Sequence, residues 1–203
     1  MLATYIDARL AEFDLISAER KAQLKELAQF VESRLKSGRS TQLIFICTHN
    51  SRRSHMSQIW AQTAAAYYNA PGIQTYSGGT AATAFNPRAV AALQRAGYRI
   101  ETADQGENPV YRVWYREDAQ PMEAFSKIYD QEPNPAKDFC AVLTCAQADH
   151  ACPIVNGAVQ RVAIPYEDPK AFDGTDKEAQ LYDERCRQIS REMLYLFSLI
   201  GQA

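Results

Sequence analysis

Residues 17 to 37, SAERKAQLKELAQFVESRLKS, set apolar groups at Leu24, Leu27, Ala28, Val31 and Leu35 among charged neighbours. That spacing predicts one face of a helix, with Gly38 as its stop. A shorter helix is expected before it, around residues 3 to 12. The pattern then changes. LIFI at 43 to 46 is short, apolar and largely β-branched, which predicts a buried strand. A helix follows at 54 to 68, with Met56, Ile59, Trp60, Thr63, Ala64 and Tyr67 on one side. IQTYS at 73 to 77 is the next strand. Asn86 before Pro87 marks a helix start. Val90, Leu93 and Ala96 carry that helix's apolar face, and Gly97 ends it. FCAVLTC at 139 to 145 and AVQRVAI at 158 to 164 are two further strands. Residues 176 to 200 form a closing helix with Leu181, Ile189, Met193, Leu196 and Leu199 inward.

Strands alternating with helices predict an α/β protein: a three-layer α/β/α sandwich around a parallel sheet. Residues 1 to 40 read as a helical N-terminal extension and 41 to 203 as the main domain. Residues 104 to 137 stand out as an irregular insert: a hairpin in NPVYRVWYRED, a short helix in PMEAFSKIYD, then a loop. The insert precedes the third strand, so its Tyr111, Trp114 and Tyr115 are expected at the far end of the sheet from the 47–54 loop.

The chain has 203 residues and a formal net charge of -2. No global field attracts nucleic acid or an anionic membrane, so neither is expected as a partner, and any anion must be held locally. No signal peptide or spanning segment is visible, which predicts a cytoplasmic protein. Thiols in that compartment are mostly reduced, so the five cysteines point to chemistry or packing rather than a disulfide scaffold.

The chemistry concentrates in FICTHNSRRSHM, residues 45 to 56. A strand, a short loop and a helix in this order build an oxyanion site: loop N–H groups converge, and the helix presents its positive end. Thr48, His49, Asn50, Ser51, Arg52, Arg53 and Ser54 are therefore candidate oxyanion-binding residues. Arg53 brings a planar fork that matches two oxygens of a tetrahedral anion. Cys47 begins the loop, inside a field that favours its ionised form, as a nucleophile facing the central atom. Ser54 can hydrogen-bond the sulfur, and Asn50 can brace the loop.

Two later segments add candidates. Cys145 ends the third strand on the same sheet edge as Cys47, and Cys152 follows seven residues on. That spacing fits neither a zinc pattern nor a C-x-x-C pair, so no metal site is expected. The sulfurs could meet if AQADHA between them loops out or unwinds. Asp168, in YEDPKAFDG after the fourth strand, could carry a proton; Glu167 and Asp173 read as solvated neighbours. Cys140 and Cys186 read as packing residues.

The loop, NPRAVAAL, VLTCAQADHACP and EDPKAFDGT together resemble the low-molecular-weight tyrosine phosphatase superfamily, and within it most closely the thioredoxin-coupled arsenate reductases. The resemblance covers roughly residues 42 to 200 apart from the insert. It implies a four-stranded parallel sheet and no cofactor. It also implies a cascade: Cys47 attacks arsenate, Cys145 then attacks Cys47, and Cys152 attacks Cys145 to leave a disulfide for thioredoxin. In this scheme Arg53 holds the oxyanion and Asp168 is the general acid. A low-molecular-weight phosphatase working through a cysteinyl-phosphate needs only Cys47, Arg53 and Asp168. A non-catalytic oxyanion-binding or redox-sensing module is the third reading. The chain departs from the family at His49, where a glycine is usual, and at Arg52, where a second cysteine is usual. The Arg52 side chain is expected to face solvent, the alternative being a second cation near the anion. Lys170 after Asp-Pro, in place of an aromatic residue, and His55, in place of proline, favour the reductase branch over phosphotyrosine hydrolysis.

Overall fold

A computed structural model describes residues 1–116, 118–151 and 154–200. The elements run α1 (Leu2–Leu10), α2 (Ala18–Lys36), β1 (Thr41–Cys47), α3 (Arg53–Tyr67), β2 (Ile73–Gly79) and α4 (Pro87–Arg95). They continue β3 (Arg99–Thr102), β4 (Tyr111–Trp114), β5 (Met122–Ala124), β6 (Phe139–Leu143), α5 (Ala146–Ala151), β7 (Ala158–Ala163) and α6 (Glu178–Ser198). The end signals act as their chemistry requires: Ser17 Oγ accepts from Arg20 N–H to cap α2, and Asn86 accepts from Arg88 N–H to cap α4.

The main sheet has the order β2-β1-β6-β7, all parallel. Strand alternation splits its side chains between two faces. Leu43 and Phe45 of β1 point into a large core shared with Leu24 and Leu27 of α2, Ile59 and Trp60 of α3, and Ile189 and Met193 of α6. Ile44, Ile46 and Cys47 point into a smaller core with Phe139, Leu143 and Cys145, covered by Ala148 of α5 and by Tyr129. The second face is thus thinly covered. Ile6 and Ile16 join the large core, so the first two helices are held by burial. Leu24, Leu27 and Val31 are fully buried, each stabilising by roughly 1.5–3 kcal/mol. A surface pair such as Lys36–Glu32 contributes about 0–1 kcal/mol, so packing decides the position of α2. Among the described residues no helix is long and apolar enough to cross a membrane.

The stretch from 104 to 137 differs from its sequence reading. β4 pairs antiparallel with both β3 and β5, giving a three-stranded second sheet rather than a lone hairpin. PMEAFSKIYD holds β5 and an extended strap, not a helix: Ile128 bridges Gly79 in parallel. Its alternating burial, with Ala124 and Ser126 inside, follows a strand period. Placement is corrected as well. Trp114 and Tyr115 do lie near the C-terminal end of α3, lining a cavity with Ala66 and Tyr67. Tyr111 instead packs on Phe85, and residues 125–129 run beside the 47–54 loop.

Candidate active site

The loop from Cys47 to Ser54 leaves the carboxyl edge of β1, where open α/β sheets bind ligands. Five of its carbonyls are engaged. Cys47 O accepts from Thr80 N–H (3.2 Å), Thr48 O from Ala81 N–H (2.8 Å), Ser51 O from Asn86 N–H (2.8 Å) and Arg52 O from Met56 N–H (3.0 Å). His49 O accepts from Ser126 Oγ (3.0 Å) and Thr83 Oγ (3.2 Å). Among the described residues, the N–H groups of His49, Asn50, Ser51 and Arg52 donate to no protein acceptor. A loop whose carbonyls are engaged and whose amides are free is a nest for an anion.

Asn50 adopts φ 44°, in the left-handed region that asparagine tolerates. Its side chain is the brace predicted from sequence: Nδ2 donates to Ser54 Oγ (2.8 Å), and Oδ1 accepts from Lys127 N–H (3.0 Å). Ser54 Oγ lies 3.1 Å from Cys47 Sγ. Since Asn50 occupies an acceptor position on Ser54, the hydroxyl proton is free to reach the sulfur. Close packing explains the glycine pair ending β2. A Cβ on Gly79 would lie 2.2 Å from Ala81 O and 2.7 Å from Asn50 N, and one on Gly78 would lie 2.3 Å from Tyr129 Cα. Two chain segments pass where a side chain would be.

Arg53 is 7% exposed. Nη1 donates to Tyr166 O (2.9 Å) and Nη2 to Asp168 Oδ2 (2.7 Å), while Nε is buried without a partner. Asp168 is thereby brought to the loop, as expected, and its Oδ1 accepts from Lys170 N–H (3.1 Å). Arg52 departs from its expectation of facing solvent. Nε donates to Tyr182 Oη (2.6 Å) and Nη2 to Asp173 Oδ2 (3.0 Å), and Tyr182 Oη donates to Asp173 Oδ1 (2.7 Å). Burial first, and the Asp173 hydrogen bond second, push the Tyr182 phenol up to about 12, so it remains a donor. Asp173 is therefore engaged rather than solvated. Sequence reading missed Tyr182 because it lies 130 residues from Arg52 on the inner face of α6.

Cys145 is buried, and its Sγ sits 3.6 Å from Thr48 Oγ1 and accepts from Ala148 N–H at 3.3 Å. Thr144 N–H donates to Ile46 O (2.7 Å), which aligns the ends of β6 and β1. Cys47, Cys140, Cys145 and Cys186 are free thiols. AQADHA forms the short helix α5, so it would have to unwind for the sulfurs to meet, and Cys152 lies outside the described residues. Cys140 and Cys186 are fully buried, and burial raises both thiols.

His49 is exposed at the rim. His55 is the opposite: it stacks on Phe85 at 4.1 Å, and Nε2 lies 3.2 Å from Phe125 O, an acceptor that requires the proton there. Burial, then the nearby Lys127 charge, pushes it down to about 3, against the opposing effect of the Phe125 bond. Below its ordinary value of 6.5 the unfolded chain takes up a proton that the folded one refuses. Stability therefore falls as pH drops from 6.5 toward 3, by about 1.4 kcal/mol per unit at most. Urea unfolding of wild type and His55→Gln from pH 7 to 4 checks this: the wild type should lose stability more steeply. Parallel curves would refute it.

The chain thus combines a four-stranded parallel sheet, a Cys-x5-Arg loop leaving its β1 strand, and Asp168 brought in after the last strand to meet Arg53. Residues 42–113 match the model of the low molecular weight phosphotyrosine protein phosphatase family. In sequence the chain is similar to the arsenate reductase of Bacillus licheniformis, 28% identical over 160 residues, covering 79% of this chain and 96% of that protein. In fold it is similar to a low molecular weight phosphotyrosine phosphatase from Vibrio cholerae O395, with TM-score 0.55, 15% identity, and coverage of 79% and 96%. It is also similar to an arsenate reductase solved in a phosphate-binding state, with TM-score 0.51, 17% identity, and coverage of 79% and 99%.

Proposed function

We propose that the chain is an arsenate-reductase-like enzyme in which Cys47 attacks a tetrahedral oxyanion held by the loop amides and Arg53. The observation that carries this reading is the second free thiol. Cys145 lies just past the end of β6, the strand beside β1, with its sulfur in contact with Thr48, the residue after Cys47. Phosphoryl transfer has no use for a thiol there; reduction does.

In the proposed cycle the Cys47 sulfur bonds to arsenic, and one As–O bond breaks with its oxygen protonated by Asp168. An oxyanion that takes the Arg53 fork releases Asp168 Oδ2, which then takes up the proton it delivers from solvent. The Cys145 thiolate then attacks Cys47 Sγ. An S–S bond forms, the S–As electron pair passes to arsenic, and As(V) leaves as As(III). Cys152 attacks Cys145, which frees Cys47 and leaves a 145–152 disulfide. A dithiol reductant of the thioredoxin class restores both thiols.

The test couples the protein to thioredoxin, thioredoxin reductase and NADPH. Arsenate should trigger NADPH consumption in wild type, and Cys145→Ser should lower turnover at least about 10³-fold while leaving the first attack intact. The Asp168–Arg53 contact favours one second reading, phosphomonoester hydrolysis, because that chemistry also needs an acid next to the fork. The same variant separates the two. Full aryl phosphate hydrolysis by Cys145→Ser, with no NADPH consumption by wild type, would replace the first reading with the second.

A further inference from the structure

We infer that Arg52 is a positioning residue that keeps Asp168 at the site while Arg53 turns to the bound oxyanion; this rests on reading the 47–54 loop as an oxyanion site. Asp168 has two moorings. The first is Arg53 Nη2 at 2.7 Å. An anion that takes the Arg53 fork competes for that same group, so this mooring loosens when it is needed.

The second mooring lies five residues on. Arg52, Tyr182 and Asp173 close a ring of three hydrogen bonds at 2.6, 3.0 and 2.7 Å, with the Arg52 side chain only 12% exposed and Tyr182 fully buried. Between the moorings runs one short 3-10 turn, Pro169–Phe172. Asp168 caps it through Lys170 N–H (3.1 Å), and Asp173 N–H closes it on Lys170 O (3.0 Å). A turn bonded at both ends transmits position, so holding Asp173 holds Asp168. Arg88 and Glu178 extend the anchor: Arg88 Nε meets Glu178 Oε2 at 2.6 Å, and that carboxylate accepts from Gly174 N–H at 2.6 Å. Two successive arginines at the start of α3 project in different directions, one toward the anion and the other toward the segment bearing the acid. Lysine could not serve equally, because a single ammonium lacks the fork that spans the Tyr182 and Asp173 oxygens.

The test measures hydrogen–deuterium exchange of residues 166–175, with and without saturating inorganic phosphate. Wild type should stay protected in both. Arg52→Gln should exchange at least about tenfold faster with phosphate and nearly as wild type without it, because Arg53 still holds Asp168 in the free protein. Tyr182→Phe, which removes one hydroxyl, should shift the same way by a smaller factor and carries the test if Arg52→Gln does not fold. Equal acceleration in both conditions would reduce Arg52 to a structural prop and overturn the inference, as would no acceleration. Absence of phosphate binding by wild type in calorimetry would remove the oxyanion site itself, and the inference with it. A kinetic readout adds the chemistry. Arg52→Gln should lose about tenfold in kcat on phenyl phosphate, whose leaving group needs a proton, and under about twofold on 2,4-dinitrophenyl phosphate, with KM unchanged. Equal losses on the two esters would count against it.

Discussion

Cys47→Ser is expected to abolish turnover, lowering it about 10⁴-fold or more with arsenate and with any aryl phosphate. The reason lies in what the loop supplies. It contains a hydroxyl donor aimed at the sulfur, from Ser54 at 3.1 Å, and free main-chain amides. The one side chain hydrogen-bonded to Cys47 among the described residues is that Ser54 hydroxyl, which is no base for an alcohol. A serine there would stay protonated and inert. The anion site itself should survive, because its donors are the amides of residues 49–52 and Arg53 rather than the sulfur. Phosphate affinity should therefore stay within a few-fold of wild type. Calorimetric titration with phosphate alongside the activity assay checks both halves. Retention of more than a few per cent of activity would mean that another group attacks.

Arg53→Lys is expected to cost about 10²-fold in kcat/KM, and Arg53→Ala about 10³-fold. Arg53 is 7% exposed, and its guanidinium divides its donors three ways: one to Tyr166 O, one to Asp168 and a buried Nε without a partner. Lysine keeps the charge but not the planar fork, so it cannot meet two oxygens of a tetrahedral anion and also orient the segment at 166–168. The folded state should tolerate the lysine better than the reaction does. Asp168 retains 35% side-chain exposure, so losing this pair costs under about 1 kcal/mol. Thermal unfolding and steady-state kinetics on the same preparation separate the two effects. Equal kinetics for lysine and arginine would show that charge alone suffices.

The longer helices and the four parallel strands were legible because each buries a regular stripe: the period of Leu24, Leu27 and Val31 in α2, and the apolar run of β1. The strand–loop–helix geometry at residues 47–54 was legible because local order, strand then Cys then Arg then helix, implies it. The same locality brought Asn50 and Ser54 into view as supports. The second sheet was not legible. β5 has three residues, too few for a period, and its pairing with β4 depends on a turn with no Asn-Gly or Asp-Gly signal. The Arg52–Tyr182–Asp173 ring was hidden for another reason. Its members come from α3, α6 and the segment after β7, and nothing near Arg52 in the chain announces a buried phenol 130 positions away. The 125–129 strap against Gly78 and Gly79 is tertiary in the same sense, although the glycine pair was its visible trace.

The thin cover over the second face of the main sheet has a consequence for access. Cys145 has no solvent contact, and its nearest helical neighbour, α5, is six residues long. A helix of that length has no independent stability in water and can melt without disturbing the large core on the other side. Local unfolding of this kind lies at the cheap end of a protein's opening spectrum. A bulky disulfide exchange partner could therefore reach the sulfur through a fluctuation confined to one corner, while the oxyanion cradle, pinned by Asn50 and the strap, stays intact. Turnover at the second thiol would then be paced by fraying rather than by chemistry.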